Sequence, residues 1–188
     1  NTALKGCFEE MRWIYQLQSN IFEDADPCIH GWWEDFVSST EVEYCVGDDI
    51  EWTTERNLEL ILEILNLPLD KSKVLTGNKR RSIGTTYGEV IRRYNLMNKL
   101  LHDLEYNPDS RRKMMSLWDN QCQKEDPKAL PPCCYQTNWI VRDFEGGKYV
   151  DLTLFQRSRD SVMTYSINPT EYVMLLMMVC GHLTYKTG

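Results

Sequence analysis

At Asn107-Pro108 the chain changes its hydrophobic period, and this change restricts the possible folds more than any other feature. Before it, apolar side chains recur every three to four residues, the spacing of one helix face; after it they come in strand-like runs. Leu4, Cys7, Phe8, Met11, Ile14 and Tyr15 predict an amphipathic helix over 4–19. Leu58, Ile61, Leu62 and Leu65 predict a second over 55–67, stopped by Pro68. After Tyr87-Gly88, the positions Val90, Ile91, Tyr94, Met97, Leu100, Leu101 and Leu104 predict one long helix that ends near Asn107-Pro108. Between these, 31–36 is rich in tryptophan, 38–49 is acidic and turn-like, and 71–81 is a basic, glycine-containing loop. The runs 112–118, 133–144, 148–156 and 161–167 predict strands. Glu145-Gly146-Gly147 joins two of them as an antiparallel hairpin, because glycine tolerates the positive φ of tight turns. Asn168-Pro169 then opens an apolar helix running through Leu176 and Cys180, with Asn168 as the cap and proline at the first helical position. So hydrophobic a helix is expected to be buried. Helices first and sheet later, without βαβ alternation, indicate the α+β class.

The 188 residues suit one domain, with room for an insertion. A net charge of −7 opposes non-specific attraction to nucleic acid. No apolar run approaches the roughly 18 residues that span a bilayer, so no membrane association is expected. The first residues lack a basic region followed by an apolar core, and a cytoplasmic location is the expectation. Seven cysteines without C-x-x-C spacing argue against a disulfide framework, and three scattered histidines give no reason to expect a metal.

Three segments carry chemistry. In Leu130-Pro131-Pro132-Cys133-Cys134, two prolines fix the chain just before a thiol; this is either a proline turn before a buried cysteine or a pre-organised sulfur. Gln156-Arg157-Ser158-Arg159-Asp160 ends a strand with a cluster of donors, either a solvated strand end or a group that favours a thiolate and holds a phosphate. Arg111 and Arg112 follow the Asn107–Ser110 turn and match phosphate oxygens, though surface charge explains them equally well. Neighbouring side chains on a strand point to opposite faces, so both arginines serve one phosphate only through irregular backbone or another subunit.

Together these residues resemble the thymidylate synthase and pyrimidine nucleotide hydroxymethylase superfamily. The resemblance rests on N-P-D-S-R-R at 107–112, Trp118, L-P-P-C at 130–133, Q-R-S-x-D at 156–160, and Asn168 followed by Tyr172. Glu10-Met11-Arg12-Trp13 is similar to the family's E-L-L-W helix, Gln18-Ser19-Asn20 to the stretch ending it, and Ile83–Gly88 to its G-x-x-Y-G segment. Residues 38–81 match poorly and resemble the variable, helical small-domain insertion. The implied fold is an antiparallel-rich mixed sheet packed against helices, and one domain over 1–188. The family's C-terminal part and its upstream phosphate arginine are expected to fall outside these residues.

By resemblance, Cys133 adds to C6 of a pyrimidine nucleotide and activates C5, which takes a one-carbon unit from 5,10-methylenetetrahydrofolate and converts dUMP to dTMP. Glu10 handles proton transfers, with Glu9 as the solvent-facing competitor, and Tyr87 belongs to the same network. Arg157 and Ser158 hold the phosphate with Gln156 beside them, and Arg111 and Arg112 reach the partner's phosphate in a homodimer. Asp160 positions the base, and Trp32, Trp33 and Asp160 face the folate. Asn168 reads a uracil edge, because a carboxamide donates to O4 and accepts from N3–H. Three departures stand out: Cys134 replaces the family's histidine, Trp32-Trp33 replaces W-x-x-W, and 163–167 replaces L-G-x-P-F. They keep open a hydroxymethylase that adds water instead of hydride, a non-catalytic nucleotide-binding homologue, or an interaction module.

Overall fold

The computed structural model describes residues 2–46, 53–54, 74–160 and 166–188. Helix α1 (Thr2–Met11) continues into one wide π-turn at Arg12–Gln16. That wider turn sends three consecutive residues, Trp13, Ile14 and Tyr15, into the core, which one face of a regular α-helix does not do. The tryptophan-rich segment forms the short α2 (His30–Trp33) between 3₁₀ turns.

Residues 38–81 differ from the sequence reading. Where an acidic turn and a basic loop were expected, β1 (Ser39–Val46) and β3 (Val74–Ser82) pair antiparallel, with β2 (Thr53–Thr54) on the outer side of β1. Charge is a poor guide here because Arg80 and Arg81 are paired: Arg80 reaches Asp24 at 2.5 Å and Arg81 reaches Glu23 at 2.9 Å. The expected helix over 55–67 lies outside the described residues, as do 47–49, 71–73 and most of the run 161–167.

The long helix expected after Tyr87-Gly88 is two: α3 (Gly88–Arg93) and α4 (Leu96–Tyr106). They break at Asn95, whose left-handed backbone (φ 50°) asparagine accepts more readily than most residues. Beyond the proline turn come β4 (Met114–Ser116), the short α5 (Asn120–Glu125), and the expected antiparallel hairpin β5 (Cys134–Phe144) and β6 (Gly147–Gln156). Strand β7 (Lys186–Thr187) adds parallel to β6, giving the order β4-β5-β6-β7.

Helix α6 (Ile167–Leu183) starts one residue before the expected cap, so Asn168 and Pro169 both lie inside its first turn and Asn168 is not the N-cap. Nor is α6 buried all round. Glu171, Tyr172, Leu175, Val179 and Cys180 face the core, whereas Val173 and Met177 are 55% and 59% exposed. The buried face packs against α1 and the sheet. No described helix is long and apolar enough to cross a membrane.

Candidate active site

A β-bulge re-phases β5 at its start. The pairing register shifts between Cys134 and Gln136, so Cys134 faces the core together with Thr137 and Trp139 despite an odd separation in sequence. Cys133, one residue outside the strand, is only partly buried and hangs at the sheet end next to Arg157. The Arg157 backbone N–H donates to the Cys133 carbonyl at 3.0 Å. Its guanidinium donates to the Pro131 and Pro132 carbonyls at 2.9 and 3.1 Å. Proline carbonyls suit this role because the fixed backbone holds them in place. The same guanidinium lies 3.8 Å from the Cys133 sulfur, and the Ser158 hydroxyl lies 3.6 Å from it. Cys133, Arg157 and Ser158 therefore meet, as the sequence predicts. Among the described residues the guanidinium's Nη1 has no partner.

The other side of this segment is clamped by residues 86 and 87. Thr86 Oγ1 donates to the Leu130 carbonyl at 2.9 Å, and the Tyr87 hydroxyl accepts the Cys133 N–H at 3.1 Å. Tyr87 does so with φ 44° and ψ −108°, a backbone state that costs about 1–3 kcal/mol. The Tyr87 ring meets Trp33 edge-on at 5.4 Å, so a contact chain runs from Cys133 through Tyr87 to Trp33.

Of the two candidate carboxylates on α1, both half-buried, Glu9 pairs with Arg12 at 3.2 Å, whereas Glu10 has Glu171 of α6 as a titrating neighbour. Burial is the largest cause raising the affinity of Glu10 and Glu171 for protons, and the charge of Glu10 reinforces it in Glu171. Cys134 is 6% exposed, and burial pushes its thiol up to about 12, so it stays protonated at neutral pH. Its sulfur accepts the Asn168 amide at 3.5 Å, and the Tyr172 hydroxyl beyond it shares a 2.8 Å hydrogen bond with Tyr15. The Asn168 side chain therefore faces the site instead of capping its helix.

The remaining predicted residues are placed as follows. Gln156 pairs with Cys134 across the strands, and its amide nitrogen is buried with no hydrogen-bond partner among the described residues. It lines a cleft of about 350 Å³ with Arg159, Pro169 and Tyr172. Asp160 is exposed just beyond β6. Trp33 stands at the site, but the Trp32 ring lies against Gly6 of α1, where an added Cβ would come within 2.5 Å of it. Arg111 and Arg112 are exposed and are not brought to Cys133. Met114 pairs with Asn138, four residues along β5 from Cys134, which is about 13 Å at strand spacing.

A family model described as thymidylate synthase matches residues 1–188. The chain belongs to the thymidylate synthase family. Thymidylate synthases of Streptococcus sanguinis (strain SK36) and Streptococcus pneumoniae (strain ATCC 700669 / Spain 23F-1) are each 35% identical over 190 residues, covering 99% of this chain and 53% of their own length. The chain thus spans about half the length of the curated relatives it matches. The solved structure of thermostable thymidylate synthase A from Bacillus subtilis shares the fold, with a TM-score of 0.64 at 23% identity over 98% of this chain and 53% of that one.

Two features of this family member escaped the sequence reading. Lys113, next to the paired arginines, is 3% exposed; its ammonium donates to the Pro108 carbonyl at 2.6 Å and to that of Ser110, closing the turn that carries them. Glu171 is 4% exposed in an apolar helix. A signal for it was present, since a lone carboxylate in an apolar stretch one turn after Asn168 shares that residue's helix face.

Proposed function

We propose that Cys133 is the nucleophile of a one-carbon transfer to C5 of dUMP, giving dTMP. The observation that carries this reading is the partly exposed Cys133 thiol held between the Arg157 guanidinium and the Ser158 hydroxyl. Pyrimidine C5 is a weak nucleophile; addition of a thiolate to C6 breaks the ring double bond and makes C5 enolate-like. Arg157 and Ser158 are the donors for the nucleotide phosphate, with Nη1 of Arg157 turned to that anion. Asn168 recognises the uracil edge, steadied through its amide contact to Cys134, and the unpartnered Gln156 amide serves a polar group of the nucleotide. Glu10 exchanges protons with the base, and Tyr87 holds the Cys133 backbone.

The one-carbon unit comes from 5,10-methylenetetrahydrofolate. The residues fit this co-substrate in part: Trp33 and Asp160 are its contacts, whereas Trp32 belongs to the packing of α1. No described group of three His, Cys, Asp or Glu side chains is placed to hold a metal, and the chemistry assigned here needs none. A homodimer completes the site with Arg111 and Arg112 crossing to the partner's phosphate. Its interface is the outer face of the β4-β5-β6 sheet, where Met114 and Ile140 are 53% and 56% exposed. The cytoplasm is the proposed location.

The test incubates the protein with dUMP or dCMP and methylenetetrahydrofolate. Formation of dTMP and dihydrofolate supports the reading. A 5-hydroxymethyl product assigns the hydroxymethylase instead, and nucleotide binding without turnover assigns a binding homologue.

A further inference from the structure

Lys113, Met115 and Leu117 face inward along the chain at β4, whereas Arg112, Met114 and Ser116 between them are exposed. The strand period thus gives Lys113 a core-facing position, where an ammonium is costly unless each of its N–H groups finds an acceptor. An ammonium has three donors, and Lys113 directs them at three backbone carbonyls: Pro108 at 2.6 Å, Asn107 at 3.4 Å, and Ser110. These carbonyls belong to the turn that follows α4, and a lysine beside a helix C-terminus also meets the negative end of the helix dipole. The Lys113 backbone is fixed too, since its carbonyl accepts the N–H of Trp139, a core residue of β5, at 2.8 Å. One residue therefore ties the turn to the sheet, and the two residues enclosed between its side-chain anchors and its backbone anchor are Arg111 and Arg112. Between them the backbone is folded: the Arg112 N–H donates to Ser110 Oγ at 3.2 Å, and the Met114 N–H donates to the Arg112 carbonyl at 2.9 Å. Since this stretch is a turn, the alternation of a strand does not divide the two arginines between opposite faces, and both are exposed.

We propose that Lys113 is a positioning residue for the Arg111–Arg112 pair, its buried ammonium holding the turn that presents both guanidinium groups to a nucleotide phosphate. The inference rests on the reading above in which that pair serves the phosphate of the partner subunit. The physical reason is preorganisation. A planar guanidinium makes forked contacts with phosphate oxygens only in a narrow range of orientations. Arginines on a loop that is already ordered lose less conformational freedom on binding than arginines on a loose one. Lys113 supplies that order without entering the site, because all three of its donors are directed at its own turn.

Lys113→Met tests this in the full chain, since methionine fills the core position with a side chain of similar length and removes the three donors. Hydrogen exchange followed by mass spectrometry should become faster over 108–114, with the β5–β6 hairpin unchanged. Binding of dUMP, measured by equilibrium dialysis, should weaken about tenfold or more, the loss expected for a charge-assisted contact. Binding of deoxyuridine, which has no phosphate, should change by less than about twofold in a nuclear magnetic resonance titration, because the arginines act only on the phosphate. Unchanged dUMP affinity, or equal weakening for both ligands, overturns the positioning role. The wild type decides even if the variant fails to fold: protected amides at Ser110, Arg112 and Met114 support the fixed turn, and exchange as fast as in an unstructured peptide overturns it. The double variant Arg111→Ala with Arg112→Ala separates this proposal from the reading beneath it. Full dUMP affinity there rejects the arginines as phosphate ligands and the proposal with them, whereas affinity lost there but kept in Lys113→Met rejects the positioning role alone.

Discussion

The Tyr87 hydroxyl accepts the Cys133 backbone N–H at 3.1 Å, so one hydrogen bond joins the helical layer to the chain segment that carries the proposed nucleophile. The bond is anchored at both ends. Tyr87 is 8% exposed and packs on Trp33, and Arg157 holds the Cys133 carbonyl from the opposite side. Tyr87→Phe keeps the ring and removes the acceptor. It should lower unfolding free energy by about 1–2 kcal/mol, read by urea titration, and lower kcat more than it raises KM for dUMP.

Adjacent thiols should behave differently. Cys133 is partly exposed, whereas Cys134 is buried and protonated. Brief iodoacetamide treatment followed by peptide mass analysis should label Cys133 well before Cys134. Cys133→Ser should reduce turnover by about three orders of magnitude or more, since a neutral hydroxyl is a far weaker nucleophile. Cys134→Ala should retain turnover within about tenfold, its loss appearing in discrimination between dUMP and dCMP through Asn168.

Gly88 begins α3 against the backbone of Ser19. A Cβ there would collide with the Ser19 carbonyl oxygen and lie 2.7 Å from its nitrogen. Backbone cannot rotate aside as a flexible side chain does, so Gly88→Ala should destabilise by about 3 kcal/mol or more, seen as a lowered denaturation midpoint with unchanged m-value. Gly31, with nothing within 4 Å of its Cβ position, is the control.

Stability should fall as pH rises through neutrality. Burial raises Glu10 from 4.5 to about 7 in the folded state, and Glu171 moves in the same direction. The native state then binds more protons than the unfolded chain across that window, so this contribution is present below about 4.5 and lost as pH rises through the native titration. Urea midpoints measured from pH 4.5 to 8 should decline in the wild type relative to Glu171→Gln, whose curve is flatter. Parallel curves would refute the linkage.

The hairpin and the apolar final helix were legible because local chemistry dictates them: Gly146 adopts φ 80°, and a core-facing helix must be apolar. The break at Asn95 was not legible, since apolar spacing continues across it and only packing shows that two shorter helices fill the space. Strands β1 and β3 were hidden for a related reason. Their charged ends suggested solvent, but Arg80 and Arg81 find acidic partners more than 50 residues away in sequence. The ion pair between Glu9 and Arg12 was likewise open until the helix had formed, because Glu9 and Glu10 are neighbours of one residue type.

Alone, the sequence determined the α+β class, the resemblance to a family, and the identity of Cys133, Arg157, Ser158, Tyr87 and Asn168 as candidates, because residue type and spacing carry that information. Only the tertiary structure decided that these side chains meet, that a bulge turns Cys134 inward beside Asn168, and that Glu171 is buried. Those relations join residues far apart in the chain, and their energies depend on burial and distance, which exist only once the helices have packed onto the sheet.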